Sequence, residues 1–424
     1  MKVRKLFGRK PFGSLFASVV LLSTGAHSAG ALEDSHDYNN VTVAQAPPKT
    51  EGGQQEGISD TEIQIGSCIA QTGTLQERGH EIARGANTYF SFVNDNGGIN
   101  GRKIKLTVCD DAYQPEKAIE CFNNCLKNKV FVGAFFAGSA PISKYVRMGD
   151  SNKLPLFGFC TGTPVVYEFH PTEFVLRASY VDEIHRQIQE LQENRGLKRI
   201  AILYQNDAFG AAIRANAINE LKKYNLAPVA EASYSRLTAD IDEAFNKIKE
   251  SNPQVVIMGA ISDALKAIIK KRAENKWNVV CICPSIATDY VQEAGSDSDG
   301  IIISQVVPAI DSKISAAATY NKLRKKYTPD APPNLNAFEG FINAMVLTEA
   351  LKETGRDLTK DKFVKTMESI RDKDFGLGPS FKVGFSPTNH VAWGSSSVYF
   401  QIARNGKLET MSSSDWKSVL KTIK

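Results

Sequence analysis

The stretch from Phe92 to Ala118, FVNDNGGINGRKIKLTVCDDAYQPEKA, decides the fold of this chain. Just before and into it, Ile82, Ala86, Tyr89, Phe90 and Val93 share one face of an α-helix. Asn96-Gly97-Gly98 ends that helix, since glycine accepts the left-handed conformation that a helix C-terminus needs. Asn100-Gly101 is a tight-turn signal. Beyond it Ile104, Leu106 and Val108 alternate with Lys103, Lys105 and Thr107, which predicts a strand. Asp110-Asp111 stops the strand, with strand termination and helix N-capping as the plain role of the pair. Pro115 suits the first turn of the following helix. Helix, glycine turn, strand, acidic loop and helix make one unit of an α/β layer.

These residues also resemble a family. A helix closing on N-x-x-GG-hydrophobic-x-G, then a strand, then D-D-x-x-x-P, is similar to the early segment of type I periplasmic binding proteins, the Leu/Ile/Val-binding protein relatives. The resemblance runs from about Gly57 to the C-terminus. It implies an α/β fold of two doubly wound lobes joined by three crossovers, with ligand held in the cleft between them. The expected boundaries are 58–178 plus 309–387 for lobe 1 and 179–308 plus 388–424 for lobe 2.

With 424 residues, 42% of them hydrophobic and 23% charged, the chain is long enough for two cores of ordinary globular composition. A net charge of +5 over this length, with no aromatic-studded basic run, argues against nucleic acid as a partner. Lys2, Arg4, Lys5, Arg9 and Lys10 precede a short apolar run from Leu15 to Leu22 and small residues around Ala29-Gly30-Ala31, the pattern of a signal peptide over 1–31. The run is too short to span a bilayer, and no cysteine follows it to carry a lipid. Residues 32–57 are poor in large apolar groups and read as a flexible leader. Export to the periplasm is the expectation.

Further strands are predicted at Ile63–Ile69, Val130–Phe136 and Leu154–Phe159. Phe174 to Tyr180 reads as a crossing, after which the rhythm restarts with strands at Arg199–Tyr204, Val255–Met258, Val279–Cys283 and Ile301–Val306. A helix is predicted from Asn336 to Thr354, and strands from Phe381 to Ile402 with turns at Ser386-Pro387 and Asn405-Gly406.

No nucleotide-binding glycine loop, nucleophile elbow or H-E-x-x-H occurs, and the six histidines show no metal-ligand spacing. The reading is therefore a binding protein with no cofactor and no metal, and not an enzyme. An α/β hydrolase and a soluble sensor acting with a signalling partner are the rivals. The resemblance implies a small-molecule ligand, permease subunits of an ABC transporter as partners, and a monomer. It also implies the site. Ser139, after the third strand, and the Thr161-Gly162-Thr163 loop, after the fourth, hold a ligand carboxylate, and Phe209 closes over it from the second lobe.

Two positions depart from the relatives. Arg78 stands where those that bind aliphatic amino acids have Trp, and is the candidate for a second anion donor. Ser285, in Pro284-Ser285-Ile286-Ala287, lies where they carry the Glu that pairs with the ligand ammonium. Asp263 or Asp289 is the candidate to replace that charge. Together these changes point away from leucine, isoleucine or valine and toward a carboxylate- or amide-bearing solute. Of the seven cysteines, Cys68 and Cys109 end neighbouring strands and form a candidate pair, most of the others reading as small buried hydrophobes.

Overall fold

The computed structural model describes residues 56–421, so the expected signal peptide and nearly all of the leader lie outside the described residues. The alternation after Asn100-Gly101 forms β2 (Lys103–Cys109), an edge strand with its lysines outward. It pairs in parallel with β1 (Glu62–Cys68). Next come β3 (Val132–Phe136), β4 (Leu156–Phe159) and the two-residue β5 (Glu173–Phe174), giving a five-stranded sheet in the order β2-β1-β3-β4-β5. β3 is buried along its whole length, as an apolar run covered on both faces must be.

The second sheet has seven strands. β6 (Ile200–Gln205), β7 (Ala230–Tyr234), β8 (Val255–Gly259), β9 (Val280–Cys283) and β10 (Ile302–Gln305) are parallel. β11 (Tyr399–Arg404) and β12 (Lys407–Thr410) add an antiparallel hairpin turned at Asn405-Gly406, and the order is β12-β11-β10-β9-β8-β6-β7. The chain leaves the first sheet after β5, returns after β10 to a group of helices, and crosses again to reach β11.

In the first lobe the helix Gln76–Asp95 lies against Leu335–Thr354. Their backbones touch at two glycines. A Cβ on Gly85 would stand 1.7 Å from the Ala337 carbonyl oxygen, and one on Gly340 would stand 2.1 Å from that of Ile82. Each helix thus receives the other's carbonyl where a side chain would be.

Several expectations need correction. Of the run from Phe381 to Ile402 only the part from Tyr399 is a strand. Before it the backbone makes isolated bridges, Lys373 to Val383, Ser386 to Asn389 and Val175 to Val391, because this segment crosses between sheets and does not join one. β5 and β7 were not predicted; Ala230–Tyr234 is an edge strand without a continuous apolar run. Asp110 and Asp111 cap no helix: the N-cap residue before Pro115 is Gln114, and no side chain caps there. Asp110 instead accepts from the Gln71, Thr72 and Ala112 N–H groups, and from the Thr72 hydroxyl at 2.6 Å. Burial alone would raise its pKa, but these donors outweigh burial and hold it at about 2.

The cysteines pair differently as well. Cys68 and Cys109 are register partners, yet the disulfide joins Cys109 to Cys121, with 5.5 Å between Cα atoms. In-register side chains on adjacent parallel strands run side by side about 4.8 Å apart, wider than the Cβ spacing a disulfide takes. Cys121 comes from the helix Pro115–Lys127, which packs on β1. Cys68 lies 4.0 Å from Cys125 through their sulfurs. Cys68, Cys125, Cys160, Cys281 and Cys283 are buried thiols, as small hydrophobes would be.

Two tests follow from this loop and its bond. Peptide mapping under non-reducing conditions should recover Cys109 linked to Cys121, and a double Cys→Ser variant should lose about 3 kcal/mol of stability, the loop-closure value for a short ring. Asp111 is fully buried, and burial pushes its pKa from 3.8 to about 7, against the Tyr113 N–H that it accepts and with added repulsion from Asp110. Its folded value lies above the unfolded one, so its contribution to stability is complete below pH 3.8 and is lost as the pH rises through about 7. The stability of wild type relative to Asp111→Asn should therefore fall across that interval in urea titrations. Parallel pH profiles would contradict it.

Candidate ligand-binding cleft

β3 and β4 are neighbours, with Phe136 opposite Phe159, so the loops that follow them emerge side by side. Ser139 starts the short helix Ser139–Tyr145 after β3, and Thr161 lies just beyond β4. Both are fully buried, with their hydroxyl oxygens 3.0 Å apart. The Gly162 carbonyl accepts from the Tyr180 N–H at 2.8 Å, and a Cβ on Gly162 would stand 2.5 Å from that nitrogen. Thr163 is buried, and its N–H points at the Thr161 hydroxyl at 3.4 Å. Phe209, after β6 in the second lobe, packs edge-on to Tyr180 with ring centroids 5.5 Å apart. The Tyr180 hydroxyl is buried beside Thr161 and makes no hydrogen bond of ordinary geometry. Ser139, the Thr161–Thr163 loop and Phe209 therefore converge around Tyr180.

Behind them runs a buried ionic chain. The Arg177 guanidinium, on the first crossing between sheets, donates to Glu183 at 3.0 Å, to Glu339 at 3.2 Å and to the Ser285 hydroxyl at 2.7 Å. Glu183 also accepts from the Ser285 N–H at 2.7 Å and hydroxyl at 2.9 Å, and from the Ser304 hydroxyl at 2.6 Å. Glu339 pairs in turn with Arg78 at 2.7 Å, and Arg78 donates to the Cys160 carbonyl at 3.2 Å and to the Asn336 side chain. Asn336 and Asn334 both donate to Asp289. Burial alone would lower the Arg177 pKa, but Glu339 and Glu183 outweigh it and keep the guanidinium charged. Burial pushes Asp289 up to about 6, against the positive charge of Arg78 and the two amides.

This geometry sorts the sequence-predicted residues. Arg78 is buried with its charge met by Glu339, and its Nε is buried without an acceptor. Ser285 spends its N–H and hydroxyl on Glu183 and Arg177, so it completes the ionic chain. Asp263 does not join the group: its side chain is 83% exposed and pairs with Lys266 at 3.0 Å. It lines a cavity of about 410 Å³ at the rim, between Thr74 and Glu77 of the first lobe and Arg236, Lys266 and Tyr290 of the second.

Direct contacts join the lobes beside that cavity. The Tyr113 hydroxyl donates to Asp207 at 2.8 Å, Arg236 to the Tyr113 carbonyl at 3.1 Å, and the Tyr290 hydroxyl to the Thr74 carbonyl at 3.1 Å. Arg177, Glu183, Glu339, Tyr113 and Asp207 were not singled out from the sequence. A usable signal existed for two of them. Arg177 is a lone charge in the Phe174–Tyr180 run, and Glu339 is an acid within the apolar stretch of Leu335–Thr354.

Because Glu339 serves two arginines, Glu339→Ala should cost roughly 3–5 kcal/mol, as uncompensated buried charge does. Urea unfolding monitored by circular dichroism measures this, and a cost within experimental scatter would contradict the pairing.

Residues 62–407 match the family model described as "Periplasmic binding protein". A Leu/Ile/Val-binding protein homolog 7 of Brucella melitensis is 22% identical over 375 residues, covering 83% of this chain and 92% of that one. A possible leucine/isoleucine/valine-binding protein from Rhodopirellula baltica aligns at a TM-score of 0.79 and 20% identity, over 84% of this chain and 98% of its own. The solute binding protein of an ABC transporter from R. palustris, in complex with benzoate, aligns at 0.71 and 19% identity, over 82% and 95%. Among the described residues no helix is long and apolar enough to cross a membrane.

Proposed function

The chain belongs to the periplasmic binding protein family, and from that premise we propose that it is an exported receptor which captures a small carboxylate- or amide-bearing solute between its lobes and delivers it to an ABC-type importer. The observation that carries this reading is the paired hydroxyls of Ser139 and Thr161 facing Tyr180, with Phe209 of the second lobe against the same ring. Hydroxyl donors suit a carboxylate, and charge-assisted bonds of this kind are the strong ones. A ligand that touches both lobes favours the closed arrangement by its differential affinity for it.

The ligand class follows from how the nearby acids are used. Glu183 and Glu339 are paired to arginines, and Asp289 accepts from two amides. An α-ammonium placed here would compete with partners already in place, and an unpaired buried cation is strongly disfavoured. A carboxylate without an ammonium fits better. That one structural relative binds benzoate is consistent with this, while the Leu/Ile/Val-binding relatives mark the competing choice. Arg78, neutralised by Glu339, retains its Nε as the group available for a further acceptor.

A thermal-shift screen of amino acids, dicarboxylates, aromatic acids and short amides tests the reading. Acids and amides lacking an α-ammonium should give the largest shifts, and the largest shift from branched-chain amino acids would overturn the assignment. Ser139→Ala should weaken the best ligand by roughly 1–3 kcal/mol in calorimetry while leaving the fold intact. Unchanged affinity would remove Ser139 from the site.

A further inference from the structure

Away from the cleft, Asp150 of the short helix Met148–Ser151 before β4, His170 of the loop between β4 and β5, and Glu173 on β5 come together, each able to offer one ligand atom such that the three lie within 4.8 Å of one another. Glu173 is 2% exposed, and neither of its carboxylate oxygens meets a hydrogen-bond partner. The Nε2 of His170 is likewise buried and unpartnered. Its Nδ1 lies 2.7 Å from Asp150, whose other oxygen accepts from the Thr172 hydroxyl at 2.7 Å and the Thr172 N–H at 3.2 Å. Arg147, from the same part of the chain, is committed to the exposed Glu168 at 2.9 Å.

A buried carboxylate without a donor is costly to keep charged, so it holds a proton, pairs with a cation or binds a metal. From this we infer that Asp150, His170 and Glu173 form a binding site for a divalent transition-metal cation, zinc by ligand type. Two carboxylates and a neutral imidazole balance a charge of +2, and one imidazole with oxygen ligands suits zinc. Ligand atoms around a tetrahedral zinc stand about 3.3 Å apart, given metal–ligand distances near 2.0 Å. Binding therefore requires the side chains to turn inward from the observed spacing of up to 4.8 Å. Thr172 fixes Asp150, whose other oxygen faces the His170 Nδ1 at 2.7 Å, and the ion would take the place of the proton between them. The Asp150 side chain, 27% exposed, leaves a path for the ion to enter and for water to complete its shell.

The backbone under the site is already held. His390 Nδ1 lies 2.9 Å from the His170 carbonyl and 3.0 Å from that of Glu173, and its ring stacks on Phe174 with centroids 4.0 Å apart. The Val175 N–H donates to the His390 carbonyl at 2.9 Å. An ion here would fasten together the start of the first crossing and the segment that makes the third.

The test uses untagged, full-length mature protein stripped with EDTA, dialysed, and titrated by calorimetry with zinc, manganese and calcium separately. One zinc per chain should bind with a rise in melting temperature, and Glu173→Gln and His170→Gln should each weaken binding tenfold or more. Zinc-edge absorption of the wild type, which needs no variant to fold, should show a single imidazole among oxygen ligands. The proposal is overturned if zinc does not bind at one per chain, if calcium binds more tightly than zinc, if two or more imidazoles surround the ion, or if both variants, folded, bind as wild type does. The last result would assign the zinc to other histidines such as His80 or His185.

Discussion

The constraint on which the rest of the structure depends is the charge of Arg177. A guanidinium with this little access to water must be matched, and it is matched from both sides at once, by Glu339 of a first-lobe helix and Glu183 of a second-lobe helix. Glu339 then fixes Arg78, and Glu183 draws in Ser285 and Ser304 at the ends of the second sheet. Removing a partner from such a chain exposes the cost of burying the remaining charge, a cost the intact network hides. Because Arg177 lies on the first crossing, the lobes are registered where their connections begin. An opening of the cleft that broke this chain would strand charge on both sides.

Much of the fold was legible because local patterning reports burial. The helix, turn and strand around Asn96–Val108 follow from periodicity and glycine, and so do the fully apolar strands of both sheets. What patterning does not report is the identity of distant partners. Arg177 and Glu339 are 162 residues apart, and Arg78 and Glu339 are 261 apart, so no spacing rule joins them. The cysteines failed for a related reason: the strand register of Cys68 and Cys109 was right, but the deciding geometry was that of a helix lying above the sheet. Of the candidate site, Ser139 and the Thr161–Thr163 loop meet because adjacent parallel strands deliver their loops to one place, and Phe209 comes from the other sheet to the Tyr180 ring. Asp263, a candidate for its charge near a strand end, is exposed and pairs with Lys266.

The low identity to relatives of nearly equal length fits this division. The two sheets and their connections tolerate wide substitution as long as apolar positions stay apolar, which is how chains about 20% identical align over more than four-fifths of this one. The polar groups behind the strand ends are bound to one another, with Arg78 and Ser285 both taken up by the ionic chain around Arg177.

The glycine contact between Gln76–Asp95 and Leu335–Thr354 has a temporal consequence. A ribosome releases the first of these helices long before the second. Until the later segment emerges, the face around Gly85 has no counterpart, and its neighbours Ile82 and Ala86 stay uncovered. The N-terminal lobe, although the first to be begun, therefore stays incomplete until this later helix is made. During that interval the nascent chain presents an unfinished apolar surface, the condition in which holding chaperones and slow maturation are to be expected. A bulky residue at Gly85 or Gly340 would act on that late docking event, and its mark would be a delay in reaching the native state as much as a loss of stability once there.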